Sequence, residues 1–213
     1  MITWWTITRL SGLTVTAPLA LAIGALLVLE GERRLAMWWC LLFTAGLSLV
    51  AASKMAFIGW GIGISPLDFT GASGHAMRAM AIFPVLLYLL LQKAPRTIRW
   101  AGVLAGFSFG VLIGISRIVL EAHSVSEVVA GLLLGGIVSS GFIRMAGSLQ
   151  KPLFNPARIA LGLAALLAAS HAQPAPTQAW LIKASLFVSG HDKPFVRAGS
   201  KPARTHDAGE WES

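Results

Sequence analysis

Six apolar runs, broken by short charged or Gly/Pro-rich stretches, constrain this chain more than any other feature. They cover about residues 8–29, 35–52, 74–91, 99–115, 125–143 and 157–170. About 20 apolar residues in a helix cross the roughly 30 Å hydrocarbon core of a bilayer. Lipid leaves no water to satisfy backbone polar groups, so such runs must be helical. The expected fold is therefore all-α, an integral membrane six-helix bundle. The last run is short for a span and either extends toward Ala175 or is re-entrant. Residues 178–188 are apolar but interrupted by Lys183, which fits an interfacial helix better than a seventh span.

Composition agrees. Of 213 residues, 55% are hydrophobic and 12% charged, about half the charge of a typical soluble domain. Trp4, Trp5, Trp38, Trp39, Trp60, Trp100 and Trp180 cluster near run ends, as rings at headgroup level do. The net charge of +8 is spread singly over short loops. That pattern argues against a nucleic-acid partner and for loops at an inner leaflet. The single cysteine, Cys40, can form no intrachain disulfide. The first run reads as a retained helix, because no small-residue cleavage site precedes the charged stretch 30–34. Residues 189–213 are polar, with Gly, Pro and both charge signs, and are expected to form a disordered tail. The expected organisation is a six-span domain over 1–175, an interfacial helix over 176–188 and the tail over 189–213.

Loop charges set the expected orientation. Arg33, Arg34, Lys93, Arg96, Arg99, Arg144, Lys151 and Arg158 share one face by parity, which should be cytoplasmic. The other face carries loops 53–73 and 116–124. Into these loops the chain gathers Lys54, Ser73, Gly74, His75, Ser116, Arg117, His123 and Glu127. Ionisable groups at membrane depth are costly unless they face a polar cavity or a partner. Their convergence from separate helix ends points to a site.

Each piece suits phosphate chemistry. His123 and Glu127 stand four apart, so a helix brings them onto one face. A carboxylate on Nδ1–H fixes the tautomer and leaves the Nε2 lone pair for nucleophilic attack. Arg117 offers a planar fork for phosphate oxygens and Lys54 a compact charge. Gly74 and His75 open a helix whose free N–H groups favour an anion. Ser73 adds a hydroxyl donor. His75 is available to protonate a leaving oxygen. His171, His191 and His206 read as structural or tail residues, and Asp68 as a solvated loop acid. Gly59-Trp60-Gly61-Ile62-Gly63 reads as a flexible or re-entrant loop, since no strand precedes it. No Cys/His/carboxylate cluster suggests a metal, and no cofactor is expected.

The constellation resembles the superfamily of type 2 phosphatidic acid phosphatases and vanadium haloperoxidases. Its motifs are K-x6-R-P, P-S-G-H and S-R-x5-H-x3-D. Here the third reads Ser116-Arg117, IVLEA, His123, SVS, Glu127, and the second reads Ala72-Ser73-Gly74-His75. The first begins at Lys54, but Gly61-Ile62 stands where Arg-Pro belongs. Arg78, one turn after His75, is a candidate substitute.

The resemblance implies an acid-phosphatase-type, metal-independent hydrolase of the membrane lipid phosphatase branch. His123, His75 and Glu127 would be catalytic, and Lys54, Ser73, Gly74, Arg117 and Ser116 would bind substrate. It implies a phosphohistidine intermediate and a lipid phosphate or diphosphate substrate: phosphatidate, phosphatidylglycerol phosphate or undecaprenyl diphosphate. The expected location is a bacterial inner membrane, with the site at the periplasmic or extracellular helix ends. The missing Arg-Pro keeps an alternative open, a catalytically weakened or inactive homologue that binds or transports a phosphorylated lipid.

Overall fold

The computed structural model describes residues 3–147 and 177–197, and these are all-α apart from one isolated bridge, Ile64 to Phe69. A short α1 (Trp4–Arg9) turns at Leu10–Gly12 into α2 (Leu13–Leu29). Then come α3 (Arg33–Trp60), α4 (Gly74–Leu90), α5 (Arg96–Val119), α6 (Val125–Ala146) and α7 (Thr177–Ser189). Four stretches are long and apolar enough to cross a membrane: Trp4–Leu29, Arg33–Trp60, Arg96–Val119 and Val125–Ala146. The protein is thus an integral membrane protein. The expected run 157–170 lies outside the described residues.

The fourth helix is the exception that organises the bundle. At 17 residues α4 is shorter than its neighbours, and most of its residues are buried. It sits between α5 and α6, which approach it through glycines. A Cβ on Gly106 would lie 2.6 Å from the Pro84 backbone, and one on Gly131 or Gly135 would lie 2.4 or 2.3 Å from the carbonyls of Ser73 and Met77. Small residues at four-residue spacing let helix backbones meet in lipid, where the gain is van der Waals packing rather than water release. Pro84 has no N–H to lose to this contact. On the other side, α2 and α3 join through buried Trp39. Its indole N–H donates to the Ala20 carbonyl at 2.8 Å, and its ring packs on Phe43 and Phe142.

The sequence pattern and the helices differ at informative places. Residues 8–29 read as one run, yet the chain breaks at Leu10–Gly12, where the Ser11 hydroxyl donates to the Thr8 carbonyl. The run ending at 52 continues as helix to Trp60. Lys54 interrupts the apolar pattern without interrupting the helix, because its side chain lines an internal cavity. Gly61, at φ +68, then ends α3 in the left-handed conformation.

The outcome also differs for the expected tail. Residues 190–197 lack regular structure but lie back on the end of α3. The Phe195 N–H donates to the Ile58 carbonyl at 2.9 Å, and His191 Nδ1 lies 2.8 Å from the Gly59 carbonyl. Backbone groups and one aromatic ring dock this segment, not an apolar pattern. Residues from 198 onward lie outside the described region.

Candidate active site

One cavity of about 720 Å³ opens where the C-terminal ends of α3 and α5 meet the N-terminal ends of α4 and α6. Its polar half holds Lys54, His75, Arg78, Arg117, His123 and Glu127. Its apolar half is formed by α3 and α7, with Leu47, Val50, Phe57, Ile58, Leu181 and Ile182.

Local folding places the His123–Glu127 pair. Ser124 is the N-cap of α6, its hydroxyl accepting the Glu127 N–H while the Glu127 carboxylate accepts the Ser124 N–H. This capping box satisfies two donors at the helix start. It also fixes the carboxylate beside the preceding residue. Glu127 Oε2 thus takes His123 Nδ1 at 2.7 Å and the Ser124 N–H at 3.2 Å. The other oxygen, Oε1, takes the Thr70 N–H at 2.9 Å, the Thr70 hydroxyl, and Arg197 Nη2 at 2.7 Å. The Glu127 side chain is only 1% exposed, so this full set of partners offsets the cost of burying its charge.

The second histidine is placed by a different device. The Ser73 N–H donates to the Glu127 carbonyl at 2.9 Å, tying the start of α4 to α6. Gly131 allows this approach. No side chain caps α4, so its first-turn N–H groups stay available at the cavity edge, where Gly74 and His75 line it. Gly74 also leaves room for Arg78 to fold back toward the same edge, since a Cβ there would meet Arg78 Nη1 at 3.1 Å. Gly71, at φ +143, lets the loop pass directly over Lys54.

The two arginines are steadied by α1 and the turn after it. Arg78 Nη2 donates to the Ser11 carbonyl at 3.1 Å, and Arg117 Nη1 donates to the Thr8 hydroxyl at 3.0 Å. Among the described residues, four cations (Lys54, Arg78, Arg117 and Arg197) and two imidazoles therefore face one cavity with a single carboxylate. Burial pushes the His123 imidazole below its ordinary value. The hydrogen bond to Glu127 opposes this, and the charges of Lys54 and Arg117 add to it. His123 is neutral near pH 7, with Nδ1 committed to Glu127 and Nε2 the nitrogen with a lone pair. The surplus of positive charge suits an anion carrying several oxygens. Among the described residues, no group of three or more His, Cys, Asp or Glu forms a metal-ligand set.

Most of the residues singled out in the sequence meet here: Lys54, Gly74, His75, Arg117, His123 and Glu127 all line the cavity, as does Arg78. Two do not. The Ser116 hydroxyl is fully buried and donates to the Ile113 carbonyl at 2.6 Å, so it is turned into its own helix rather than toward a ligand. Ser73 is also fully buried and away from the cavity lining; its part in the site is the backbone tie to Glu127. Sequence reasoning missed Thr70 and Arg197. Asp68, which reads as a solvated loop acid or a supporting partner, is both: its side chain is largely exposed, and its Oδ1 lies 3.0 Å from Arg197 Nε, an ion-pair distance without a directed hydrogen bond. A signal was present for the capping box, the S-x-x-E spacing over 124–127. None was present for Arg197, which comes from 70 positions downstream.

Residues 62–151 match the PAP2 superfamily. The chain is 38% identical over 203 residues, 91% of its length and 95% of the relative's, to a Klebsiella pneumoniae protein called "Uncharacterized 22.5 kDa protein in cps region". It is 37% identical over 71 residues, 32% of its length and 34% of the relative's, to phosphatidylglycerophosphatase B of Bacillus subtilis (strain 168). No solved structure matches significantly. The superfamily match spans the loop, α4, α5 and α6, the segments that bring His75, Arg117, His123 and Glu127 together. With the distant homology to the B. subtilis phosphatase, this shows that the chain carries a PAP2 superfamily domain.

Proposed function

We propose that this protein hydrolyses a phosphorylated lipid through a phosphohistidine on His123. The observation that carries this reading is the 2.7 Å contact of His123 Nδ1 with Glu127, in a cavity shared with His75, Lys54, Arg78 and Arg117. Nε2 attacks phosphorus and forms a P–N bond while the P–O bond to the leaving group breaks. His75 gives its proton to that leaving oxygen. In the second step His75 takes a proton from water, the water oxygen attacks phosphorus, and the P–N bond breaks. Lys54, Arg78, Arg117 and the α4 N–H groups stabilise charge gathering on the phosphoryl oxygens. Glu127 holds His123 in the required tautomer and offsets its charge as it forms.

The substrate class follows from the other half of the cavity. An apolar wall from α3 and α7 beside a cationic pole fits a lipid phosphate or diphosphate better than a soluble phosphomonoester. The kinship to phosphatidylglycerophosphatase B makes phosphatidylglycerol phosphate one substrate to test. Phosphatidate and undecaprenyl diphosphate are the others. Arg33, Arg34, Lys93 and Arg96 lie at the helix ends opposite the cavity, and the positive-inside bias supports a site on the outer face of an inner membrane.

The test is phosphate release by detergent-purified protein from these three lipids, with and without chelator. Release unaffected by chelator and abolished in His123→Ala is the expected result. Retained release in His123→Ala would overturn the mechanism. Tight lipid-phosphate binding without release would favour a binding or transport homologue.

A further inference from the structure

The stretch Gly59-Trp60-Gly61-Ile62-Gly63 has no part in the phosphate chemistry above, yet its geometry is specific. Its first part, Gly59 in the last turn of α3 and Gly61 just after it, is the seat for residues 185–197. A Cβ on Gly59 would lie 3.1 Å from Ser189 Cβ and 3.3 Å from the Ser185 carbonyl. A Cβ on Gly61 would lie 2.9 Å from the Phe195 ring, at a φ that already disfavours side chains. The Ile58 and Gly59 carbonyls, at the end of α3, hold the Phe195 N–H and His191 Nδ1. His191 and Phe195 pack edge to face, with ring centroids 5.8 Å apart. Two residues beyond this anchor, Arg197 reaches the buried carboxylate of Glu127. Its Nη2 donates at 2.7 Å to Glu127 Oε1 and lies 3.3 Å from both the Thr70 hydroxyl and the Asp68 carbonyl.

We infer that segment 190–197 is a working part of the active site, docking on the end of α3 at Ile58, Gly59 and Gly61 to deliver Arg197 as a positioning residue that holds Glu127, and through it His123. The inference rests on the phosphohistidine reading above, which it deepens. Arg197 engages the oxygen of Glu127 that His123 does not use. It also ties that oxygen to Asp68 and Thr70 of the loop before α4, so one guanidinium locks three chain segments around a single carboxylate. A planar fork makes several such contacts at once, and an ammonium cannot. Pro194, Phe195, Val196 and Arg197 also line the cavity, so the segment forms part of its wall.

The charged or titratable groups facing His123 are Glu127 from α6, Lys54 from α3, His75 and Arg78 from α4, Arg117 from α5 and, through Glu127, Arg197. Removing the Arg197 charge leaves Glu127 a stronger partner for a protonated His123, so protonation becomes easier. The experiment uses the full-length protein in detergent. The His123 titration is followed by NMR of labelled histidine, assigned against His123→Asn, and phosphate release is measured on phosphatidylglycerol phosphate.

In Arg197→Gln the His123 titration moves to higher pH, and the acid limb of kcat/KM moves with it. The kcat falls on the order of 10-fold, as for other groups acting through a ligand's partner, with KM little changed. Arg197→Lys recovers part of the loss. Phe195→Ala, which empties the seat on Gly61 but keeps the guanidinium, moves both readouts in the same direction, and it carries the test if Arg197→Gln does not fold. A His123 titration unmoved in the folded variants overturns the inference, whatever the activity. A titration that moves in a protein releasing no phosphate from any lipid overturns the phosphatase reading and leaves the Arg197 placement standing.

Discussion

Glu127 Oε2 and His123 Nδ1 meet at 2.7 Å at the start of α6, with His123 just outside the helix, and the same oxygen accepts the N–H of Ser124, the helix N-cap. The folding device that starts α6 is therefore also the device that sets the histidine tautomer. Replacing Glu127 by Gln preserves shape and removes charge. It leaves Arg197 facing a neutral amide and permits the wrong histidine tautomer. Phosphate release in Glu127→Gln should fall by roughly 10²-fold or more, with Glu127→Asp in between because its shorter arm must leave part of the cap. Initial rates at saturating lipid decide it, and a wild-type rate in Glu127→Gln would remove Glu127 from the mechanism.

The buried, cation-rich setting of His123 gives the activity a pH signature. Its imidazole titrates below its ordinary value because burial disfavours the charged form and Lys54 and Arg117 repel it, with Glu127 opposing both. The nucleophile must be neutral. It is neutral above its own pKa, so the loss of kcat/KM on acidification should be centred below the ordinary histidine value of about 6.5. A pH series of kcat/KM measures the centre. An acid limb centred above that value, tracking His123 in the wild type, would contradict the burial argument.

The parts legible in the sequence were those with local period or fixed spacing. The apolar runs located α2 to α6, because lipid forces long apolar segments into helices. The spacing from His123 to Glu127 brought out their contact, although His123 lies outside α6 and the capping box, rather than a helical turn, holds the carboxylate beside it. What escaped reading lacked such a local cause. The Ser116 hydroxyl sits in a phosphatase-like motif yet bonds back to Ile113, a choice of rotamer that no spacing encodes. Arg197 reaches Glu127 from a segment whose Phe195 docks on Gly61, and none of these residues marks the others in the sequence. The glycines of α6 fall between these cases: their spacing was visible, but which of them touch α4 depends on helix rotation.

That last distinction can be tested on one helix. Gly131 and Gly135 face α4 so closely that a Cβ would lie 2.4 and 2.3 Å from its carbonyls, whereas Gly136 has nothing within 4 Å. Gly131→Ala or Gly135→Ala should destabilise the protein by about 1–3 kcal/mol, as overpacking does. Gly136→Ala should be neutral or stabilising by up to about 1 kcal/mol, from helix propensity. Thermal unfolding in detergent gives the ranking. Gly131→Ala should also lower activity, because the carbonyl it displaces belongs to Ser73, just before His75. Equal melting temperatures for all three variants would refute the close α4–α6 contact.

His75 offers the sharpest separation of the two chemical steps. In the first it protonates the leaving oxygen, and in the second it deprotonates water. A leaving group that needs no proton, such as a nitrophenolate, bypasses the first task and leaves the second untouched. His75→Asn should therefore be slow on a lipid phosphate, by roughly 10²–10⁴-fold. On an aryl phosphate that reaches the cavity, it should release nitrophenol in a burst and then stall. The stalled protein should carry acid-labile phosphate on His123, detectable by labelling and mass spectrometry. Loss of the burst in His75→Asn, with wild-type protein still turning over, would mean that His75 is needed for attack itself. Its role would then lie in binding phosphate at the start of α4 rather than in moving protons.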